Sequence, residues 1–554
     1  MTTESDPYVI YGGDPSETDK VDPDCPSLGA MVMSDLQLGQ DKPCFINGAT
    51  NEKWTYKDML LKSSLYARVL YGAGIRQNDV VSIVSENRFE FPAIVFGAFY
   101  LSAVVAPINT TLTERELTHS LQLSKPRFVF TAPSTAEQTV KVCKHLKFVE
   151  RVIVFGRDKV HSNAISLQDF IQKYEKKDLN VEKHVAQRVN RDQVAYIATS
   201  SGTTGLPKAV LITQMNIMSV VQGMRDAFNL AKQFLGDNIV SSSIAPWFHS
   251  MGFFAMILNA CSRDVTFVFL PKFDNESFLR CIQEYKVSTV SVVPPIMVFL
   301  AKSPVVDKYD LSSLKSITCG AAALSKEVEE QVRERFLKNY ETEIMIRQSY
   351  GMSESTFRTI SSALVVKPGS AGQVIPGIYC KVVDENGKSL GPHQQGELCF
   401  KGPLLMKGYL NDPDATNNAI DKNGWLHSGD IGYYDEDKHF FIVDRLKELI
   451  KYNAYQVAPA ELEALLLSNP KVKDCCVIGI PDEKAGELPF AYVVKQPGVQ
   501  LTDQEIVQFV ADNTSKVKRL RGGAKFVDEI QRNASGKILR RKMLEMYKAS
   551  KSKL

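Results

Sequence analysis

Residues 199–210 read TSSGTTGLPKAV, and the order of residue types in this run decides how the chain is read. Ser200, Ser201, Thr203 and Thr204 bring hydroxyl donors, Gly202 and Gly205 let the backbone approach an anion closely, and Lys208 adds a charge on a long stem. The β-branched run VAYIATS is predicted as a strand, which puts the loop at a carboxyl end, where open α/β sheets bind ligands. A Walker loop places four residues between its first Gly and Gly-Lys and follows the Lys with Ser or Thr. Here Lys208 follows Leu206-Pro207 and precedes Ala209, so the run predicts a phosphate loop of another kind.

The 554 residues are 44% hydrophobic and 23% charged, the composition of a globular chain long enough for more than one core. Short β-branched runs (DVVSIVS, RFVFTA, RVIVFG, VTFVFLP, VSTVSVVPP) alternate with amphipathic stretches such as KEVEEQVRERFLKNY, whose Val328, Val332 and Phe336 fall at helical spacing. That alternation predicts an α/β fold of parallel-rich sheets. The Gly- and Pro-rich segment 367–409 interrupts it and reads as a small β-barrel or meander. Beyond it come strand, turn, strand and a helix starting near Pro459, then TDQEIVQFVADNT and GGAKFVDEI, which make a compact α+β unit of about one hundred residues. The expected division is a large N-terminal domain, 1–444, and a small mobile C-terminal domain, 445–554.

The net charge of +3, from 66 basic and 63 acidic residues, offers no basis for nucleic acid as a partner. The 10 cysteines are scattered without metal-type spacing and read as reduced thiols. The apolar run FPAIVFGAFYLSAVVAPI reads as a buried helix and strand, so no transmembrane segment is expected. The N-terminal stretch has no basic region leading into an apolar run, and no secretory signal is expected. Ser552-Lys553-Leu554 is a peroxisomal address, from which a peroxisomal import receptor is expected as a partner and the peroxisome as the location.

The phosphate loop, SYGMSES at 349–355, GWLHSGDIGYYDEDKHFFIVDRLKELIKY and NASGKILRR occur in the order of blocks found in adenylate-forming enzymes. The chain resembles that acyl-CoA synthetase and luciferase superfamily over nearly its whole length, and within it insect fatty acyl-CoA synthetases and beetle luciferases. The resemblance implies that a carboxylate attacks the α-phosphate of ATP, giving an acyl-adenylate and pyrophosphate, and that CoA then takes the acyl group. It assigns ATP contacts to the loop residues Ser200 to Gly205 and Lys208, and to Gly320, Ala321, Ala322, Gln348, Ser349, Tyr350, Gly351, Met352, Ser353, Asp430 and Arg445. It places Mg²⁺ on Glu354 with Thr204. Lys537, His249, Arg445 and Lys451 become the catalytic candidates. Lys537 serves adenylation, and Lys451 replaces it after the small domain turns about Lys447. Phe248, His249, Met251, Gly252 and Phe253, followed by Phe254, would open the acid pocket. Two anionic reactants need fixed positive charge, which explains the lysines and the arginine.

Several family glycines and prolines are replaced: Ala209, Ala321 and Ser349 stand for glycines, Asn453-Ala454 for Lys-Gly, and Gln531 and Ala534 for prolines. The resemblance implies that the turn carrying Ala454 lies beside the CoA tunnel, where a methyl costs roughly 1 kcal/mol if the turn needs positive φ. The sequence reading is a ligase joining a medium- or long-chain fatty acid to CoA. A luciferin monooxygenase and a non-catalytic protein of the same fold are the alternatives. GKILRR and the absence of paired histidines in WFHSMGFF favour the ligase.

Overall fold

The computed structural model describes residues 6–13, 21–156, 164–200, 208–322, 324–362, 366–453, 455–533 and 536–551. Ser201 to Gly205, Ala454, Ala534 and Ser552 to Leu554, all singled out above, lie outside the described residues.

The β-branched runs fold as strands of two large sheets. An eight-stranded sheet is ordered Gly408–Tyr409, Lys208–Thr213, Val194–Ser200, Val104–Pro107, Val80–Val84, Phe128–Thr131, Arg151–Val154 and Ile165–Ser166. A nine-stranded sheet has the parallel strands Met345–Tyr350, Ser316–Cys319, Thr289–Val292, Ile239–Ser243, Val265–Phe269 and Pro43–Asn47 at its centre. Helices cover these sheets because their apolar stripes match the sheet faces. In Lys326–Tyr340, Val328, Val332 and Phe336 are buried, Ser325 caps the start, and Glu341 ends it in the left-handed region. The apolar run near residue 90 is the buried helix Glu90–Tyr100 followed by strand Val104–Pro107. No helix among the described residues is long and apolar enough to cross a membrane.

The Gly- and Pro-rich segment supplies part of a five-stranded antiparallel sheet, Ile10–Tyr11, Tyr379–Val383, Gly396–Lys401, Leu426–Tyr434 and Phe440–Arg445. The N-terminal stretch contributes a short strand to this sheet. Its Ile10 and Tyr11 pair with Cys380 and Tyr379 and close one sheet edge.

Past Arg445 the chain enters another core. Ile450–Tyr452, Tyr455–Val457, Val472–Asp482, Gly486–Lys495 and Gly523–Phe526 form one sheet, and helices Pro459–Ser468 and Asp503–Asn513 cover it around Leu462, Leu466, Val477, Val493, Ile506 and Val510. Only Leu446 to Leu449 separate the last strand of the antiparallel sheet from the first strand here. A cleft of about 1640 Å³ lies where this small lobe faces the rest.

Candidate active site

Adjacent strands build the centre of the cleft. Asp430 and Arg445 are register partners on antiparallel neighbours, so their side chains emerge on one face, with Arg445 Nε 3.5 Å from Asp430 Oδ1. Tyr350 ends its strand and donates its hydroxyl to Asp430 Oδ2 at 2.6 Å while its ring stacks on Phe400. Asp430 sits inside strand Leu426–Tyr434 rather than in a turn, and the backbone before it is braced: Gly429 has φ 69°, and its N–H donates to Glu397 Oε1 at 2.9 Å. His427 Nδ1 lies 2.8 Å from the other oxygen of Glu397. Burial pushes the Asp430 carboxyl up, against the opposing pull of Arg445 and the Tyr350 hydrogen bond. Burial beside Asp430 likewise raises the Tyr350 phenol well above its ordinary value.

Lys537 enters this cluster from the small lobe. Its own loop is held by Lys537 N donating to Asn533 Oδ1 and Asn533 N donating to Lys537 O, both at 2.9 Å. Gly536, at φ 82°, lies so near the large lobe that a Cβ would come 3.0 Å from Val293 Cγ2. Burial, then repulsion from Arg445, holds the Lys537 ammonium below its ordinary pKa, while Asp430, Glu354 and Glu448 pull it back up. The cation is thus partly stripped of water and within electrostatic reach of three carboxylates.

His249 caps the helix Ser250–Ala260. Its Nδ1 accepts the Met251 N–H at 3.3 Å, so the neutral ring carries its proton on Nε2. Burial, and secondarily Lys537, pull its pKa down to about 4. The ring is neutral at physiological pH and can donate to an acid without adding charge.

Lys208 and Glu354 meet through a residue the sequence reading did not single out. The Tyr409 ring lies 4.8 Å from Lys208 Nζ, and its hydroxyl donates to Glu354 at 2.9 Å. Cross-strand pairing of Gly408–Tyr409 with Lys208–Thr213 holds the arrangement. Glu354 is buried in a short turn at Ser353–Ser355, and Ser353 Oγ lies 2.9 Å from Ser250 Oγ of the His249 helix. KGYL carries no pattern that marks its tyrosine.

The remaining candidates divide. Ala321, Ala322, Gln348, Ser349, Gly351 and Met352 line the cleft with Tyr350, and Gly320 sits behind, where a Cβ would come 3.1 Å from Ser349 Oγ. Gln348 is turned from the cleft at its amide, which donates to Glu329 at 3.2 Å. Ala321 takes φ 70°, a conformation natural to the glycine it replaces. Phe248 and Met251 keep some exposed surface beside His249. Gly252 is pressed on Pro246 O, and Phe253 stacks on Tyr196 with ring centroids 4.0 Å apart. Those two residues, with the buried Phe254, pack the core behind the pocket and present no wall to it. Lys451 is exposed and does not line the cleft, its N–H bonded to the cleft-lining Glu487, and Lys447 is exposed at the cleft rim. Asn453 takes the left-handed conformation at φ 46°, which asparagine tolerates better than most residues.

Residues 35–410 match the AMP-binding enzyme family, and residues 461–537 match the C-terminal domain of AMP-binding enzymes. The chain is 41% identical over 512 residues to a luciferin 4-monooxygenase of Photuris pensylvanica, covering 92% of each chain. It is 38% identical over 508 residues to 4-coumarate–CoA ligase 1 of Petroselinum crispum, covering 90% of each. Its fold matches the anthranilate CoA ligase AuaEII with anthranoyl-AMP at a TM-score of 0.82 and 22% identity, covering 96% of this chain and 99% of that one. It also matches the o-succinylbenzoate CoA synthetase of Bacillus subtilis with its acyl-adenylate intermediate, at 0.76 and 26%, covering 93% and 97%. With a two-lobed cleft that gathers an aspartate, an arginine and a lysine, the chain belongs to the AMP-binding, adenylate-forming enzyme family and is an acyl-activating enzyme.

Proposed function

We propose that the protein is an ATP-dependent fatty acyl-CoA ligase that works in the peroxisome. One observation carries the reading: Lys537 is brought by the small lobe to Arg445 and Asp430, within reach of Glu354 and His249. A carboxylate oxygen attacks the α-phosphorus of ATP, the bond to the bridging oxygen breaks, and pyrophosphate leaves. Lys537 and Lys208 offset the charge of the two anions, Asp430 accepts from the ribose hydroxyls, and His249 Nε2–H orients the acid. Glu354 suits Mg²⁺, since its buried carboxylate offers a hard oxygen beside the Lys208–Tyr409 pair, with Thr204 as the family's second contact. Magnesium would supply charge neutralisation on the phosphates. The CoA thiol then attacks the acyl carbon and AMP leaves, after a turn about Lys447 that withdraws Lys537 and brings in Lys451. Phe248 and Met251 offer apolar surface to a hydrocarbon, each buried methylene contributing about 0.8 kcal/mol.

The test is pyrophosphate release from MgATP across a panel of fatty acids, followed by thioester formation when CoA is added. No pyrophosphate with any acid would place the chain among non-catalytic relatives. The 41% identity to a luciferin 4-monooxygenase supports a second reading, oxidation of an adenylated luciferin by oxygen. Light from luciferin and ATP, with no CoA thioester, would favour it. The peroxisomal assignment rests on Ser552-Lys553-Leu554 alone, and a chain lacking these residues should stay in the cytosol of cells that import the intact one.

A further inference from the structure

Two arginines beside the site have no counter-ion among the described residues. Arg358 Nη1 lies 3.3 Å from Ser361 Oγ, and its Nη2 lies 2.7 Å from the Met224 thioether, a weak acceptor. Arg347 Nη2 donates to Ser316 Oγ at 2.9 Å, while its buried Nε has no hydrogen-bond partner. Among the described residues no carboxylate pairs with either. The contrast with other enclosed arginines is sharp. Arg540 pairs with Glu448 and Glu463, Arg225 with the buried Asp35, and Arg333 with Glu329. Burial, with Arg347 as a like-charged neighbour, brings Arg358 down to about 10, so the guanidinium stays charged at neutral pH. Both side chains nevertheless keep part of their surface accessible. A desolvated cation that still faces open space and lacks an internal anion is placed to receive one.

Its position says whose anion that is. Phe357 precedes Arg358, and its ring lies 5.5 Å from Phe254, one turn along the helix that His249 caps. Met224, on helix Gln214–Leu235, closes another side. Gly351 lines the adenylate cleft, and a Cβ there would come 2.5 Å from Arg358 Cα. Arg358 thus sits next to the cleft-lining Gly351 and, through Phe357 and the buried Phe254, against the helix that His249 caps.

We infer that Arg358, with Arg347 behind it, receives a second anionic group at the far end of the acid, so that the substrate class is a chain with a carboxylate at each end. This rests on the activation chemistry proposed above and narrows the acid it uses. A hydrocarbon between two carboxylates would join the group that His249 orients to that uncompensated cation.

The experiment compares dodecanedioic acid, its monomethyl ester and dodecanoic acid on the full chain, by pyrophosphate release and by calorimetric binding. The diacid should exceed both others in kcat/KM by tenfold or more and bind correspondingly tighter. The half-ester keeps the length and removes the charge, so it tests the idea without any variant. Arg358→Met should abolish the preference, and Arg358→Lys should restore part of it. Equal or poorer use of the diacid by the unaltered chain, or an unchanged diacid-to-monoacid ratio in Arg358→Met, overturns the inference. Arg358-dependent diacid binding without pyrophosphate release would sink the activation chemistry alone. Efficient activation of dodecanoic acid with no diacid preference would sink only the present inference.

Discussion

Lys302 Nζ, from the large lobe, donates to the Leu467 carbonyl of the small lobe at 2.5 Å, and also reaches the carbonyls of Asn469 and Val472 at 3.2 and 3.0 Å. The Leu467 and Asn469 carbonyls lie at the carboxyl end of helix Pro459–Ser468, and Val472 opens the strand that follows. At the other end Ala458 cannot cap, and Asp444 Oδ2 accepts the Ala460 N–H at 2.8 Å instead. An anion holds the amino end and a cation the carboxyl end, the signs that suit a helix dipole. The same orientation of the small lobe brings Lys537 to the cleft.

Replacing Lys302 by Met should therefore slow adenylation by about tenfold, since hydrogen bonds from a charged donor contribute about 1.5–3 kcal/mol. Thioester formation from preformed acyl-adenylate should be spared. Equal loss in both half reactions, measured separately, would contradict a role in orienting the lobe.

Lys537→Ala removes the cation itself. Loss of one preorganised transition-state contact costs roughly 10²- to 10³-fold. Pyrophosphate release should fall by that order, while calorimetry should find acid binding nearly unchanged.

His249 gives a pH signature. Its pKa is pulled below the ordinary histidine value to about 4, chiefly by burial, so the unfolded chain binds its proton more readily than the folded one. Its effect on stability is absent above the unfolded pKa of roughly 6.5 and grows unfavourable as pH falls towards 4. Urea unfolding across that window should show a slope that His249→Gln reduces.

Ala321 takes φ 70° at the cleft wall. A left-handed conformation costs an L-residue roughly 1–2 kcal/mol, partly offset by the greater freedom of glycine when unfolded. Ala321→Gly should raise unfolding stability by about 0.5–1 kcal/mol. An unchanged or lower midpoint in urea would show that the site does not hold that strain.

Much of this was legible beforehand for physical reasons. VAYIATS, RFVFTA and VTFVFLP had to be strands because nothing but a buried sheet suits such β-branched runs, and Pro459 had to open a helix. Blocks such as SYGMSES and HSGDIG announce themselves because their chemistry sits in consecutive residues. Tyr409, Glu397 and Lys302 do not. Each works through a partner remote in sequence, and only strand register or lobe packing brings the pair together. Phe253 illustrates the converse, since adjacency to His249 suggested a pocket wall whereas the helix turns its ring onto Tyr196.

Gly536 contributes a bare hydrogen where the small lobe passes close to Val293 of the large one. The Lys537 ammonium one residue later therefore enters the cleft from a backbone that carries no side chain at its point of approach. A methyl there would act as a shim of a few tenths of an ångström against Val293, shifting the lysine loop outward without altering a single charge.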